Sequence, residues 1–447
     1  LRTVLVANRG EIARRILRAC RTLGLGTVAV YSEADAGAPH VREADTAVLI
    51  GPPPARESYL AIERIVAAAQ EAGADAVHPG YGFLSENWHF AEACARAGLT
   101  FVGPTPEAIR AMGDKTEARR LMQSAGVPIV PGTLAPLADL AAAERAAREI
   151  GFPLLLKAAG GGGGIGMARV SDPGELASAF ATAGRRAQAA FGTAALYLER
   201  YLERTRHVEV QILGDGAGTI VHLRERECSI QRRHQKLIEE APAPRLGAST
   251  REGLAAAAVR GAAAIAYTNA GTMEFLVDPE ETFYFLEMNT RLQVEHAVTE
   301  EVTGIDLVAE QLRIAGGERL RWRQGDIGAR GASIECRVYA EDPDKGFRPS
   351  PGVIGRLDLP AGDAIRVESG VEAGSAVPVH YDPLLFKLIA RGDSREAAIV
   401  TMAASLGRCR VEGIRTNLAF LGRVIASEAF RRGDVHTQMV EQGAFNA

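Results

Sequence analysis

The stretch at 271–296, GTMEFLVDPEETFYFLEMNTRLQVEH, constrains the fold of this chain most strongly. Two apolar runs, 273–277 and 283–288, flank the acidic turn Asp278-Pro279-Glu280-Glu281, and this pattern predicts a β-hairpin. Glu274 lies inside the first run and Glu287 near the end of the second. A carboxylate among apolar neighbours is costly unless a cation meets it. Asn289, Arg291, Gln293 and Glu295 follow at alternate positions, so an extended backbone projects all four to one side. Acceptors, donors and one guanidinium in that order suit a small, oxygen-rich anion held beside a metal. A merely solvated hairpin edge would not need the apolar partners around Glu274 and Glu287.

A chain of 447 residues is too long for one ordinary core, and two or three domains are expected. Strand-turn-helix alternation opens at 3–7 and 11–23, continues through strands at 26–31, 46–50 and 74–78 and a helix at 58–72, and ends in a helix capped by Thr105 with Pro106 in its first turn. That is a parallel sheet wrapped by helices, up to about residue 113. Asp114 caps a new helix with Glu117 placed for a capping box, and 126–132 has the Pro and Gly content of a hinge. A small α/β module follows, with a helix at 140–149 and strands at 153–158, 167–170 and 196–200. Longer strands at 207–213 and 219–225, a basic stretch at 229–236 and a helix at 251–268 lead into the hairpin, and a third, α+β portion with mixed strands at 332–367 closes the chain. The fold class is α/β and α+β, multidomain.

A net charge of -4 with mixed signs argues against a nucleic-acid footprint or an acidic-membrane surface. No apolar run is long enough to cross a bilayer. Five cysteines, scattered and never spaced as CxxC, suit a reducing cytosol without structural zinc. The chain opens on a strand with no secretory leader, which points to a cytoplasmic protein, although Leu1 is not a start methionine. Of 51 basic residues only Lys115, Lys157, Lys236, Lys345 and Lys387 are lysine. A lysine kept against an arginine bias marks a place where a compact ammonium is needed, as beside phosphate.

The run GGGGGIG at 160–166 matches GxGxxG, but a dinucleotide turn must open a helix, and here a returning strand follows. No Gly-Lys-Ser/Thr follows either, so it is not a P-loop. A side-chain-free hairpin loop can instead fold over phosphates and offer them its amides. Lys157 enters that loop and Lys115 precedes it, both within reach of an anionic ligand. Glu199, Arg200 and Leu202 fall where a nucleotide base would meet a linker. His207, Glu209 and Gln211 alternate on one strand face, and Gln231, His234 and Lys236 offer charge one element before the carboxylate hairpin. His78-Pro79-Gly80-Tyr81-Gly82 is a turn at the C-terminal end of a parallel strand, with Glu86 directed to the same crevice. Glu335-Cys336-Arg337 places an arginine on a late strand; His40, His89 and His222 are taken as structural.

Together these motifs resemble the biotin carboxylases, the ATP-grasp component of acetyl-CoA carboxylase and related biotin-dependent carboxylases. The resemblance runs through VANRGEIARRI at 6–16, HPGYGFLSEN at 78–87, GGGGGIGM at 160–167, RHVEVQ at 206–211, QRRHQK at 231–236, EMNTRLQVEH at 287–296 and ECRVYAEDP at 335–343. It implies a Rossmann-like N-terminal domain at 1–113, an ATP-grasp domain at 114–316 with a mobile lid at about 131–203, and a C-terminal domain at 330–440. It implies that Glu274, Glu287 and Asn289 hold magnesium or manganese. Lys115, Lys157, Gly162, Gly163, Gly164, Met167, Glu199, Leu202, His207, Gln231 and His234 would contact ATP. Lys236, Arg291, Gln293, Val294 and Glu295 would bind bicarbonate, with Glu295 as general base and Arg291 as electrostatic stabiliser, and Arg337 would contact biotin. The implied reaction is ATP- and bicarbonate-dependent carboxylation of biotin, the first half-reaction of an acetyl-CoA or other acyl-CoA carboxylase, with fatty acid biosynthesis as its setting. Partners would be a second copy of the chain, a biotin carboxyl carrier protein or domain, and a carboxyltransferase subunit. No Met-Lys pair occurs, so the biotin attached to a carrier belongs to another polypeptide or to a further C-terminal part.

Two departures stand out. Ile165 stands where most relatives carry Arg or Lys, as in urea carboxylases, and Ala297 where Pro is usual. The alternatives are urea- or pyruvate-type carboxylases, another ATP-grasp carboxylate-amine ligase and a non-catalytic nucleotide-binding subunit.

Overall fold

The computed structural model describes residues 1–160 and 167–446. The N-terminal strands Thr3–Val6, Gly26–Ser32, Thr46–Gly51, Ala76–His78 and Thr100–Phe101 form one parallel sheet in the order third, second, first, fourth, fifth. The order reverses beside the first strand, so a crevice opens at the C-terminal ends of the first and fourth strands. There Asn8 Nδ2 donates to the carbonyls of Pro79 and Tyr81, both at 2.7 Å, and ties the two ends together. Helix Gly10–Thr22 buries Ile12, Ile16 and Leu17 against Val4 and Val6. The helix expected at 58–72 begins only at Ile62. Ser58 and Leu60 are spent on the preceding turn, bonding back to Pro54 and Ala55, and Tyr59 is drawn inward to stack on Phe83 at 4.9 Å.

A smaller body has its own core. Its strands Ala168–Val170, Leu154–Ala158 and Leu196–Arg200 carry helices Leu140–Ile150 and Leu176–Phe191. Leu154 pairs with Val170 and Leu156 with Ala168 in antiparallel register, so the glycine run does join two strands of a hairpin. Gly162, Gly163, Gly164 and Ile165 themselves lie outside the described residues.

The rest is built on one antiparallel sheet of eight strands, in the order Phe283–Asn289, Asn269–Val277, Arg206–Gly214, Ile220–Arg232, Gln235–Ala241, Ala332–Tyr339, Leu384–Gly392 and Ile365–Ser369. The expected third portion is therefore continuous with the middle of the chain through the pairing of Gln235–Ala241 with Ala332–Tyr339. The basic stretch at 229–236 belongs to two paired strands. Strand Ile220–Arg232 runs through it, turns at Arg233 and His234, and returns. Both turn residues have positive φ, 48° and 65°, the two-residue turn whose twist matches the flanking strands. Neither is the Asn or Gly that normally announces such a turn. Helices Arg395–Arg408 and Leu418–Ala426 cover the C-terminal end of this sheet through Ile399, Met402, Leu421 and Val424.

Candidate active site

A cavity of about 830 Å³ lies between the eight-stranded sheet, the small three-stranded body and the N-terminal crevice. Lys115, Lys157, Met167, Glu199, Leu202, His207, Gln231, His234, Lys236, Glu274, Glu287, Asn289, Arg291, Gln293, Val294, Glu295 and Arg337 all line it. Of the site residues expected from sequence, only Gly162, Gly163 and Gly164 are not placed, being outside the described residues.

The floor follows from strand register. Glu287, Glu274, Glu209 and Arg226 stand opposite one another on four successive strands, so three carboxylates and a guanidinium form one cross-strand row. Lys236 reaches over this row from the next strand. Its ammonium donates to Glu209 Oε2 at 2.5 Å, Glu274 Oε1 at 2.8 Å and Glu295 Oε1 at 2.6 Å. Arg226, with no exposed surface, donates to Glu209, Gln211, Thr272, Gln293 and Thr299 at 2.6–3.1 Å. Asn289 Nδ2 and Gln293 Nε2 each donate to Glu274 Oε1 at 2.8 Å. Every buried polar atom here must find a partner, and the row supplies most of them.

The residues after Asn289 converge by a different route from the one their alternation suggests. The strand ends at Asn289, and Glu295 immediately precedes helix His296–Thr303. Leu292 turns into the core while Arg291, Gln293 and Glu295 face the cavity. Arg291 donates to Asn289 Oδ1 at 2.7 Å and to Glu86 Oε2 at 2.8 Å; Glu86 itself is exposed and meets the cavity only through Arg291. Ala297 is fully buried in the first turn of that helix.

Charge balance sets the protonation of the floor. Burial alone would raise the carboxyls of Glu274, Glu295 and Glu209, but the surrounding cations, Lys236 foremost and Arg226, His207 and Arg337 with it, together outweigh burial and hold all three below the usual range. Burial would strip Lys236 of its proton, and the same carboxylates keep it on, well above an ordinary lysine. His207 is pulled down by burial and pushed up to about 9 by Glu274 and Glu209, 3.2 and 3.5 Å from its Nε2. At the other end Lys115 donates to Glu287 Oε2 at 3.1 Å and Lys157 to Glu199 Oε2 at 2.8 Å.

A divalent cation fits this floor. Glu274, Glu287 and Asn289 offer hard oxygen donors from two paired strands, the donor set such an ion prefers. Ligand atoms of His207, Glu209 and Glu274 also lie within 4.8 Å of one another.

Several residues were not legible as site residues. Arg226 sits in a run of alternating charge that gives no hint of burial. Arg119, fully buried, donates to Glu199 and, at 2.7 Å, to the Val130 carbonyl, so it pins the hinge to the last strand of the small body. Lys387, also fully buried, donates to the carbonyl of Val294. The scarcity of lysine was the available signal. Lys115, Lys157 and Lys236 line the cavity, Lys387 lies directly beneath it, and only Lys345 is out on the surface.

Three family models span the chain: Biotin carboxylase, N-terminal domain, on residues 1–109; Carbamoyl-phosphate synthase L chain, ATP binding domain, on 114–323; and Biotin carboxylase C-terminal domain, on 335–442. The chain belongs to the biotin carboxylase family. Within this family, Biotin carboxylase 2 of Bacillus subtilis is 53% identical over 439 residues, covering 98% of this chain and 99% of that protein. A solved biotin carboxylase domain dimer, from the 2-oxoglutarate carboxylase of Hydrogenobacter thermophilus in complex with MgADP, ADP and bicarbonate, matches with a TM-score of 0.96 at 47% identity, over 100% of this chain and 99% of that one. The solved pyruvate carboxylase of Rhizobium etli matches with a TM-score of 0.95 at 43% identity, over 100% of this chain and 41% of that longer one. Among the described residues no helix of this biotin carboxylase family member is long and apolar enough to cross a membrane.

Proposed function

We propose that this enzyme carboxylates biotin on a separate carrier protein, consuming ATP and bicarbonate and releasing carboxybiotin, ADP and phosphate. The observation that carries the reading is the Lys236 ammonium, within hydrogen-bond reach of Glu209, Glu274 and Glu295 and flanked in the same cavity by Arg291 and Arg337. Such a floor accepts a small anion only next to a nucleotide and metal end, and Lys115, Lys157, Glu199, Leu202, His207, Gln231 and His234 line that end.

In this reading Glu274, Glu287 and Asn289 hold magnesium or manganese. When bound, the ion would neutralise phosphate charge and polarise phosphoryl oxygens. Lys115, Lys157 and the amides of Gly162, Gly163 and Gly164 hold the phosphates, and Met167 borders them. Lys236, Arg291, Gln293 and Val294 orient bicarbonate. Glu295, held ionised in the structure, takes its proton, so that a bicarbonate oxygen attacks the γ-phosphorus as the bond to the β-phosphate oxygen breaks. The carboxyphosphate so formed breaks down to carbon dioxide and phosphate. Phosphate removes the ureido proton of biotin, and Arg291 with Arg337 steadies the charge that gathers on the ureido oxygen while its nitrogen attacks carbon dioxide. The small body at about 131–203 acts as a lid that excludes water from the labile intermediate.

The domain division that goes with this reading is 1–113, 114–316 and 330–440. A homodimer is supported by the dimeric Hydrogenobacter thermophilus relative, and the cytoplasm is the setting this reading assigns. An acyl-CoA carboxyltransferase, acetyl-CoA first, is the favoured downstream partner, because His234 within QRRHQK resembles the acyl-CoA type. The test is ADP release by the purified chain with ATP, magnesium, bicarbonate and free biotin. Release that requires bicarbonate and rises with biotin is expected, with label from bicarbonate appearing on an added carrier protein. ATP cleavage indifferent to biotin would instead mark a different ATP-grasp ligase.

A further inference from the structure

Beneath Arg337 lies a set of charged groups that the proposed mechanism leaves unused. Glu239 and Glu335 stand directly opposite each other on strands Gln235–Ala241 and Ala332–Tyr339. Both are 0% exposed, and none of their four carboxylate oxygens has a hydrogen-bond partner. Arg337 Nε lies 2.6 Å from Glu239 Oε1 without hydrogen-bond alignment, while its Nη2 donates to Glu295 Oε2 at 2.8 Å. One guanidinium is thus divided between the cavity and the layer behind it.

Like charges opposed across a ladder repel, and buried ones have no water to screen them. The cations facing the pair are Arg337, Lys387 and Lys236, and each is already engaged by another acceptor. Arg337 holds Glu295, Lys236 holds Glu209, Glu274 and Glu295, and Lys387 binds the Val294 carbonyl with Glu11 at 3.5 Å and Glu335 only at 3.9 Å. The other titratable neighbours add no cation: the Cys228 and Cys336 thiols and the Tyr339 hydroxyl are pushed up by burial, the Glu295 carboxylate adds repulsion, and Glu11, beside Lys387, is itself pushed up to about 7 by burial. Burial likewise pushes the Glu239 carboxyl up to about 7 and Glu335 well above the carboxylate range.

We propose that Glu239 and Glu335 share one proton and so act as a positioning pair for Arg337: with the proton in place the guanidinium extends to Glu295 and the cavity, and loss of the proton to water draws it back onto Glu239. The inference rests on the reading of Arg337 as the biotin contact. Neither carboxyl touches substrate; both act through Arg337.

The experiment is the pH profile of kcat/KM for biotin from about pH 6 to 9.5, beside the profile of biotin-independent, bicarbonate-dependent ATP cleavage. The intact enzyme is expected to lose kcat/KM for biotin on an alkaline limb that ATP cleavage lacks. Glu335→Gln keeps the shape and removes the second charge, as does Glu239→Gln. In Glu335→Gln the repulsion that keeps the proton on Glu239 is gone, so the limb is expected to move down by at least about one pH unit, whereas Glu239→Gln removes the anion that draws Arg337 back and the limb is lost, both through KM for biotin rather than kcat. Profiles that superimpose on the unaltered enzyme would overturn the proposal, as would an unaltered enzyme without that limb. Should both variants fail to fold, infrared spectra of protein carrying Glu11→Gln and Glu240→Gln decide, because those two buried carboxyls are also pushed up to about 7. A protonated-carboxyl band must disappear between about pH 6 and 9, and its absence at the lower pH overturns the shared proton. If biotin is not carboxylated at all, the functional reading fails on its own, and the infrared measurement still tests the pair.

Discussion

Lys236→Met tests the charge arithmetic of the floor directly. The substitution keeps a linear side chain and removes the ammonium that three buried carboxylates share. Glu209 retains Arg226 and Glu295 retains Arg337, whereas Glu274 is left with two amide donors and His207. Glu274 is therefore the group left with the least compensation, the imidazolium of His207 alone, which, against burial, Glu274 and Glu209 push up to about 9. Removing one partner of a buried pair typically costs ~3–5 kcal/mol. In the unaltered protein these carboxyls are depressed on folding, so their stabilisation is present above about pH 4 and lost as the pH falls through the folded values. In the variant the depression is smaller, so less stability is lost on acidification. The assay is the thermal unfolding midpoint of chelator-treated protein at several pH values, with bicarbonate-dependent ATP cleavage measured in parallel. The gap between the two proteins should be full near about pH 7 and narrow below about pH 4, with kcat down by about 100- to 1000-fold. A gap unchanged between about pH 7 and about pH 3 would refute the idea that Lys236 compensates these carboxylates.

Glu274→Gln removes one anionic oxygen from the proposed metal ligands, and the magnesium concentration for half-maximal activity should rise at least about tenfold in a titration; an unchanged value would remove Glu274 from the ligand set. Arg119→Leu leaves Glu199 with Lys157 alone and frees the Val130 carbonyl, so KM for ATP should rise by about tenfold or more while KM for bicarbonate stays the same, read by steady-state kinetics. A parallel rise in both constants would point to general loosening instead. Ile165→Arg places a cation in the glycine run expected to meet phosphate and should lower KM for ATP; an unchanged or higher value contradicts that role.

What the sequence alone determined about this protein were the properties written in local order. Period-two apolar runs broken by Asp278-Pro279 specify the hairpin, Thr105 with Pro106 specifies a helix start, and a glycine run followed by a strand excludes a dinucleotide turn. The alternation of Asn289, Arg291, Gln293 and Glu295 picked out four side chains that line one cavity, although the backbone beyond Asn289 is not a strand. The tertiary structure alone decided which charge answers which. The strand expected at 219–225 runs on to Arg232, an extension hidden because the sequence displays Glu225, Arg226 and Glu227 but not the partners on other strands that allow them to be buried. For the same reason the joining of the middle and C-terminal parts into one sheet, the burial of Lys387, and the confrontation of Glu239 with Glu335 were invisible along the chain. Backbone periodicity is set by neighbours a few residues apart, whereas the desolvation of a charge is tolerated or forbidden by groups that only the folded sheet brings within a few ångströms.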